Sequence, residues 1–121
     1  MEVTLRTCQS VPFYACGGFD PSVCAHGFST RLGGVSPAPW DSLNLGANRG
    51  DAPERVAENF RRFCGAVGTD ADALVKNHQV HGDLVRPVTR RDVMSSSAEP
   101  GVYEADGLIT DEPGLCLTIF S

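Results

Sequence analysis

The stretch that most constrains the fold of this chain is residues 77–82, Asn-His-Gln-Val-His-Gly, which holds two of the three histidines. It lies within a short run rich in Val and Leu that Pro87 closes, a composition typical of strands rather than helices. Because side chains alternate between the two faces of a strand, we expect Gln79 and His81 on one face and His78 on the other. The two histidines are therefore not expected to bind one metal ion together.

Length and charge limit the classes of function open to the chain. Its 121 residues are enough for one domain with a hydrophobic core. A net charge of −5 disfavours general binding to nucleic acid or to an anionic membrane, since both need clustered Lys and Arg. No apolar run reaches the roughly 20 residues that span a bilayer, and the first residues lack a signal-peptide pattern. A cytoplasmic location is therefore expected.

The five cysteines predict neither a zinc ribbon nor a disulfide framework, because their number is odd and no C-x-x-C pair occurs. Most are expected to be small apolar residues of the core in a reducing compartment. Cys64, at the end of a predicted helix, and Cys116, in an apolar strand, are not expected to be activated. Cys24 lies two residues before His26, which leaves a Cys–His pair open.

One helix is predicted, beginning near Pro53 and ending between residues 64 and 67. Asp51 is a candidate N-cap, and proline suits the first turn of a helix. The apolar residues that follow at helical spacing are Val56, Phe60, Phe63 and Val67. A glycine, Gly65 or Gly68, would end the helix.

Short strands are predicted on both sides of that helix, near residues 3–7, 23–31, 74–80, 84–88, 107–110 and 115–120. Gly17-Gly18 and Gly33-Gly34 are expected to turn or break the chain. Residues 35–51 show no periodicity and predict a long loop, of the kind that often carries function. The predicted fold class is therefore α+β, a mixed sheet with one helix packed on it.

The last predicted strand runs into Ser121 without a polar tail. Because domains usually end in polar, exposed residues, we expect residues 1–121 to be a partial domain. An open apolar strand edge also invites pairing with a further strand. Pairing with a partner or self-association through residues 115–120 is therefore an alternative that the sequence leaves open.

His81 is the strongest candidate for a metal ligand on chemical grounds. A catalytic zinc takes three protein ligands and keeps one position open, and Gly82 would let substrate or backbone approach His81 closely. The spacing leaves a structural role for His81 equally open, and His26 and His78 are expected to be structural.

Five motifs occur in order along the chain. They are His26-Gly27-Phe28-Ser29-Thr30-Arg31 with Gly33-Gly34-Val35-Ser36, Ser42-Leu43-Asn44-Leu45-Gly46, Glu58-Asn59 with Arg61-Arg62, Gln79-Val80-His81-Gly82, and Ala105-Asp106-Gly107-Leu108-Ile109-Thr110-Asp111. Together they resemble the laccase-domain family, also called polyphenol-oxidase-like or YfiH-like proteins. The resemblance runs from about residue 24 to residue 121 and covers the N-terminal half of the family domain.

The resemblance implies a zinc-dependent purine nucleoside phosphorylase that cleaves adenosine, inosine or S-methyl-5'-thioadenosine with phosphate and also deaminates adenosine. It implies His81 as metal ligand and catalytic residue, with further ligands from an Ala-Asp-Cys and a His-Ala-Gly-Trp-Arg-Gly motif. Neither motif is present in the 121 residues, and Cys116 matches an ordinary apolar position. We therefore expect the missing ligands beyond Ser121 and expect this polypeptide alone to be inactive.

Resemblance and side-chain chemistry together imply that Ser42 and Asn44 hydrogen-bond the nucleoside, and that Arg31 or Arg61 holds phosphate, since guanidinium suits oxyanions. It is equally open that Asn44 fixes its own loop and that Arg31 pairs with a carboxylate. Two other functions remain open. One is a non-catalytic fragment or interaction module that pairs through its C-terminal strand. The other, an older description of the family, is a copper-dependent polyphenol oxidase, which the few metal ligands disfavour.

Overall fold

The computed structural model describes residues 2–120, so the expectation about the chain end at Ser121 lies outside the described residues. In chain order these residues form β1 (Val3–Cys8), β2 (Val11–Cys16), β3 (Phe28–Ser29), α1 (Pro53–Val67), β4 (Leu74–Lys76), β5 (Val85–Pro87), β6 (Gly107–Ile109) and β7 (Cys116–Thr118), with 3-10 turns at Ala71–Ala73 and Arg90–Asp92. Antiparallel pairing joins β1, β2 and β3, and parallel pairing joins β4 to β7 and β5 to β6. The predicted α+β class with mixed strand pairing is confirmed, although the strands form three small sheets.

The hairpin of β1 and β2 goes beyond the single strand predicted in this region. Its turn residues Gln9 and Ser10 both have positive φ, 51° and 66°, as a two-residue type I′ turn requires. Such turns are usually signalled by Asn-Gly or Gly-Gly, and Gln-Ser carries no such signal. β2 then alternates as a half-buried strand, with Val11, Phe13 and Ala15 in the core.

Helix α1 confirms the predicted start at Pro53 and the later of the two predicted ends, at Val67. Its apolar stripe is buried or half-buried as the spacing predicts: Val56, Phe60, Phe63 and Val67. The chain leaves the helix at Gly68, whose φ of 99° lies in the left-handed region that favours glycine. The stripe packs on β2 and β4, which places the core between the helix and the sheets.

The predicted role of Asp51 as N-cap is wrong. Ala52 occupies that position, and no side chain caps the helix. The Asp51 carboxylate instead accepts hydrogen bonds from the Ser36 hydroxyl and the Asn44 amide, and the bond from Ser36 is the main reason that the pKa of Asp51 is lowered. Asp51 therefore ties the long loop together directly before the helix begins.

Several strands are shorter than predicted, for local reasons. Of residues 23–31 only Phe28–Ser29 is a strand, because residues 20–24 form a turn in which the N–H groups of Val23 and Cys24 donate to the carbonyl of Asp20. The strands predicted at 74–80 and 84–88 shrink to β4 and β5. The strand predicted at 115–120 likewise shrinks to β7, and Ile119 and Phe120 directly after it remain 49% and 37% exposed.

The long loop at residues 35–51 is held by one buried side chain of α1. Asn59 is fully buried; it donates to Ser36 Oγ at 2.9 Å and to the Asn44 carbonyl at 2.8 Å, and accepts from Val35 N–H at 2.9 Å. The loop contains no strand or helix, as predicted. Within residues 2–120, no helix combines the length and the apolar character needed to cross a membrane.

Candidate functional site

Residues 79–82 form a turn whose geometry is fixed by a carboxylate far away in the sequence. His81 has φ of 61°, a left-handed conformation uncommon for residues other than glycine. The N–H groups of Val80, His81 and Gly82 all donate to the Asp106 carboxylate, at N···O distances of 3.0, 2.9 and 2.7 Å. The motif around Asp106 therefore positions the motif that contains His81.

The same three bonds lower the pKa of Asp106. The bond from Gly82 has the largest effect, and the bonds from His81 and Val80 add to it. Because each of these donors favours the charged carboxylate, Asp106 is an anion that neutralises the converging backbone dipoles of the turn.

We expect Asp106→Asn to loosen this turn, because an amide presents only one acceptor atom and turns its own N–H groups toward the three donors. Amide hydrogen exchange at residues 80–82 should accelerate by about ten-fold, as measured by NMR. Asp111→Asn, which alters an exposed carboxylate elsewhere, is the matched control. Unchanged exchange at residues 80–82 in Asp106→Asn would show that the carboxylate does not position His81.

The predicted division of the two histidines between opposite strand faces is wrong. β4 ends at Lys76, and the chain turns before it reaches His81. His78 lies outside the strand and forms a single parallel bridge with Glu104. The side chain of Gln79 is hydrogen-bonded to the backbone of Phe120, whose N–H donates to Gln79 Oε1 at 2.8 Å.

His78 and His81 instead line the same cavity, which has a volume of about 340 Å³. Its wall combines the loop around residues 46–49, the segment that follows β4, and Pro100-Gly101 with Phe120. The lining side chains that can carry a positive charge are Arg49, Lys76, His78 and His81. No Asp or Glu of the described segment lines it, so the cavity favours an anionic ligand.

Lys76 is the most unusual of these groups. It is only 4% exposed; its Nζ donates to the Ser97 carbonyl at 2.8 Å and lies 5.0 Å and 5.8 Å from the ring centroids of Phe60 and Phe120. Burial lowers its pKa to about 8, and Glu99 opposes this shift. Among the ion pairs of residues 2–120, none involves Lys76 or Arg49, so both cations can act on a ligand.

Ser42 and Asn44 do not line this cavity. Ser42 Oγ accepts from Gly34 N–H at 3.0 Å. Asn44 donates to Asp51 at 3.2 Å, and its Oδ1 accepts from the N–H of Gly46 at 3.0 Å. Because Gly46 belongs to the wall of the cavity, Asn44 touches the site only through its own loop. Direct contact of either side chain with a nucleoside stays a prediction.

The two arginines predicted to hold phosphate lie elsewhere. Arg31 is exposed, and its carbonyl accepts from the N–H groups of Ser42 and Leu43. Arg61 pairs with Glu58 and lines a second cavity, of about 360 Å³, that also contains two aspartates. Neither arginine lines the cavity of His81, and their role in phosphate binding stays a prediction.

Sequence patterns did not single out Arg49 and Lys76, and they assigned His78 to packing. One usable signal was present for Lys76, which is the only lysine in the chain and directly follows Leu74-Val75. A charge inside an apolar strand beside a histidine motif is a candidate functional residue. Arg49 could be found only as a cation in a long loop, and its approach to His81 depends on the fold.

His26 and Cys24 do not form a reactive pair. His26 Nε2 accepts from the backbone N–H of Cys16 at 2.8 Å, and its ring centroid lies 4.3 Å from that of Phe19. The Cys24 thiol donates to the neighbouring carbonyl of Ala25. The structural role expected for His26 agrees with these contacts.

The described residues do not fit a complete catalytic metal centre. A catalytic zinc takes three protein ligands, and nowhere in residues 2–120 do three His, Cys, Asp or Glu side chains lie together in a position to hold a metal. His81 could supply one ligand, through an imidazole nitrogen.

Comparisons with known proteins place most of the chain in one protein family. Residues 25–121 match the family model described as multi-copper polyphenol oxidoreductase laccase. A purine nucleoside phosphorylase of Deinococcus radiodurans is 43% identical over 94 residues, which are 78% of this chain and 33% of that protein. The purine nucleoside phosphorylase YfiH of Escherichia coli K12 is 39% identical over 94 residues, 77% of this chain and 35% of that protein.

The fold comparison gives the same family. The crystal structure of YlmD from Geobacillus stearothermophilus matches with a TM-score of 0.77 and 30% sequence identity, over 96% of this chain and 43% of that chain. The chain spans about a third of the length of the curated relatives that it matches.

Proposed function

This chain belongs to the multi-copper polyphenol oxidoreductase laccase family, and from that membership we propose that it takes part in the phosphorolysis of purine nucleosides. The relatives named above carry the name purine nucleoside phosphorylase. The proposed substrates are phosphate with adenosine, inosine or S-methyl-5'-thioadenosine, and adenosine deamination is a side activity. The proposed metal is zinc, with His81 as one of its ligands, and the proposed location is the cytoplasm.

The observation that carries this proposal is the cation-lined cavity of His81. Four groups that can be positively charged line it, with no acid among its described lining residues, in a chain of net charge −5. Phosphate is an oxyanion, and the planar guanidinium of Arg49 can donate two hydrogen bonds to it. Lys76, with a pKa of about 8, adds a mostly protonated ammonium at neutral pH.

We assign the phosphate to Arg49 in preference to Arg31 or Arg61, because Arg49 shares the cavity with His81. In phosphorolysis, phosphate attacks the sugar carbon and the purine leaves with its bonding electrons. A cationic wall attracts the incoming phosphate and also stabilises the charge that develops on the leaving base. Since no three metal-ligating side chains lie together within residues 2–120, the proposed zinc would take its other ligands from outside these residues.

Binding of inorganic phosphate to the 121-residue chain, measured by calorimetry, tests the assignment. We expect Arg49→Ala to weaken binding by about ten-fold or more, the usual loss for a charge-assisted hydrogen bond. Affinity should also fall as the pH rises through 8, since Lys76 then loses its proton. Arg31→Ala removes the same charge from an exposed position and should leave affinity unchanged. Equal losses in both variants would indicate a general charge effect and contradict the assignment.

A second candidate function is an interaction module that associates through β7. This strand pairs with β4 on one side, and no strand of residues 2–120 pairs with its other edge. Ile119 and Phe120 are partly exposed directly after it. Light scattering separates the readings, because a monomer at all concentrations contradicts self-association and leaves the phosphate proposal untouched.

Copper-dependent oxidation of phenols is the reaction named in the family description. A multicopper centre needs many His and Cys ligands, and the cavity contributes only two imidazoles. The donor chemistry of these residues therefore supports phosphorolysis better than oxidation.

A further inference from the structure

Two cysteines share one core cluster, Cys64 from the end of α1 and Cys116 from β7. Cys64 is 4% exposed and belongs to the core cluster of Val56, Phe60 and Leu74. Cys116, at the start of β7, packs against the same cluster and is half-buried. Helix packing and strand pairing thus bring together two cysteines that are far apart in the sequence.

Hydroxyl groups surround this pair. Cys116 Sγ lies 3.5 Å from Thr69 Oγ1 and 4.0 Å from Thr118 Oγ1. The N–H of Thr69 donates to the carbonyl of Cys64 at 2.8 Å, so one threonine contacts both cysteine residues. The polar groups that act on Cys116 are therefore the Cys64 thiol and two threonine hydroxyls, which can donate to a thiolate, and the Asp70 carboxylate, which opposes its charge.

The surroundings make the two sulfurs unequal. The hydrogen bond from the Cys64 thiol is the main cause that lowers the pKa of Cys116, and the threonine hydroxyls add to it, while burial and Asp70 oppose it. The same bond, together with burial, raises the pKa of Cys64. Cys116 is also the more accessible of the two, since it is half-buried whereas Cys64 is buried. Exposure and surroundings together make Cys116 the nucleophile and Cys64 its partner thiol, although the sequence predicted that neither cysteine is activated.

A small oxidant has a route to this pair. The second cavity, of about 360 Å³, is lined by Gly65, Thr69 and Asp70 together with Ser95-Ser96-Ser97. Gly65 directly follows Cys64, and Thr69 contacts Cys116. Neither cysteine lines this cavity itself, but Cys116 is only half-buried, so a small oxidant can reach its sulfur from solvent.

We propose that Cys64 and Cys116 form a peroxide-sensitive dithiol that closes to a disulfide between α1 and β7. The Cys116 thiolate attacks one oxygen of hydrogen peroxide, the O–O bond breaks, and Cys116 becomes a sulfenic acid while the released hydroxide takes up a proton to become water. The Cys64 sulfur then loses its proton and attacks the Cys116 sulfur. The S–O bond breaks, and a second water leaves. Two thiols are oxidised by two electrons, and one peroxide is reduced to two waters.

The first step prepares the second. Oxidation of Cys116 removes the negative charge that raises the pKa of Cys64, so Cys64 becomes easier to deprotonate when it is needed. The Cys64–Cys116 disulfide would link β7 covalently to α1. It would also bear on the His81 cavity, because β7 pairs with β4, and β4 ends at Lys76 in the wall of that cavity. The proposal does not depend on the phosphorolytic function.

The test is peroxide treatment of the folded 121-residue chain at pH 6, followed by alkylation of the remaining thiols and peptide mass spectrometry. We expect a cross-linked pair of peptides containing Cys64 and Cys116, lighter by two hydrogens. Cys116 should react about ten-fold faster than the exposed Cys8 and Cys24, because its larger thiolate fraction outweighs its lower intrinsic nucleophilicity. Its rate should also level off at a pH below the usual range of a thiol, because the pKa of Cys116 is lowered.

Matched variants separate the steps. Cys64→Ser should stop at a sulfenic acid on Cys116 that dimedone traps, and Cys24→Ser should behave as the wild type. In concentrated urea the preference for Cys116 should vanish, which needs no variant to fold. Oxidation of Cys8 or Cys24 as fast as Cys116 in the folded chain, or full peroxide consumption without the Cys64–Cys116 peptide, would overturn the proposal.

Discussion

Replacing Asn59 by alanine is expected to lower the free energy of unfolding by about 3–5 kcal/mol. The side chain is fully buried and makes three hydrogen bonds to Val35, Ser36 and Asn44. Alanine leaves each of these groups without its partner, and an unsatisfied buried group costs roughly 1–3 kcal/mol. Since small domains are stable by only about 5–15 kcal/mol, urea unfolding should show a large part of the stability lost.

Two variants sharpen this result. Asn59→Asp keeps the acceptor for Val35 but turns a carboxylate oxygen toward the carbonyl of Asn44, so it should recover stability as the pH falls and the carboxyl becomes protonated. Arg62→Ala, on the exposed side of the same helix, should change stability by no more than about 0.5 kcal/mol. A loss below about 1 kcal/mol in Asn59→Ala would mean that the long loop is not held by this side chain.

Local patterns predicted helix α1 well, because its signals lie within the helix. The apolar stripe from Val56 to Val67 and the glycine that follows need no information from elsewhere in the chain. Residues 35–51 were also predicted to be a loop. Only the predicted N-cap was wrong. The Asp51 carboxylate accepts hydrogen bonds from Ser36 and Asn44 instead of from the backbone N–H groups of the first turn of the helix, and the sequence pattern does not reveal these competing donors.

Elements whose geometry depends on distant residues could not be predicted. The composition of residues 74–80 predicts a strand. In the structure the N–H groups of residues 80–82 instead donate to the Asp106 carboxylate, and the chain turns there. That contact spans 24 to 26 residues. It moves His81 out of any strand register, and His78 and His81 then line the same cavity. The family motifs identified His81 and Asp106 but not their contact.

The cavity of His81 also combines residues that sequence motifs identify with residues that only the fold brings together. A resemblance can assign a role to a motif residue, whereas Arg49 and Lys76 enter the cavity because separate segments converge there. Lys76 carries a thermodynamic cost: its ammonium stays mostly protonated at neutral pH, but burial, which lowers its pKa to about 8, makes that charge less stable in the core than in water. A buried cation that forms no ion pair within residues 2–120 is better explained by a ligand than by stability.

Gly101→Ala is expected to lower the free energy of unfolding by about 3 kcal/mol and to disturb the wall of the same cavity. A Cβ at this position would lie 2.5 Å from the carbonyl carbon of Asn77 and 2.6 Å from its oxygen. These are backbone atoms directly after β4, so no side-chain rotation relieves the clash. Either the loop at residues 98–102 or the segment that leads to His81 must move.

Thermal unfolding and phosphate calorimetry should therefore both respond to Gly101→Ala, with a lower midpoint and weaker binding. Gly65→Ala is the matched control, because a Cβ there meets only the flexible Gln9 side chain at 3.5 Å and the residue lies in α1. That variant should gain about 0.5–1 kcal/mol and keep its phosphate affinity. If Gly101→Ala bound phosphate as tightly as the wild type despite its lower stability, the anion would have to bind away from this wall, and the assignment of the cavity to phosphate would be wrong.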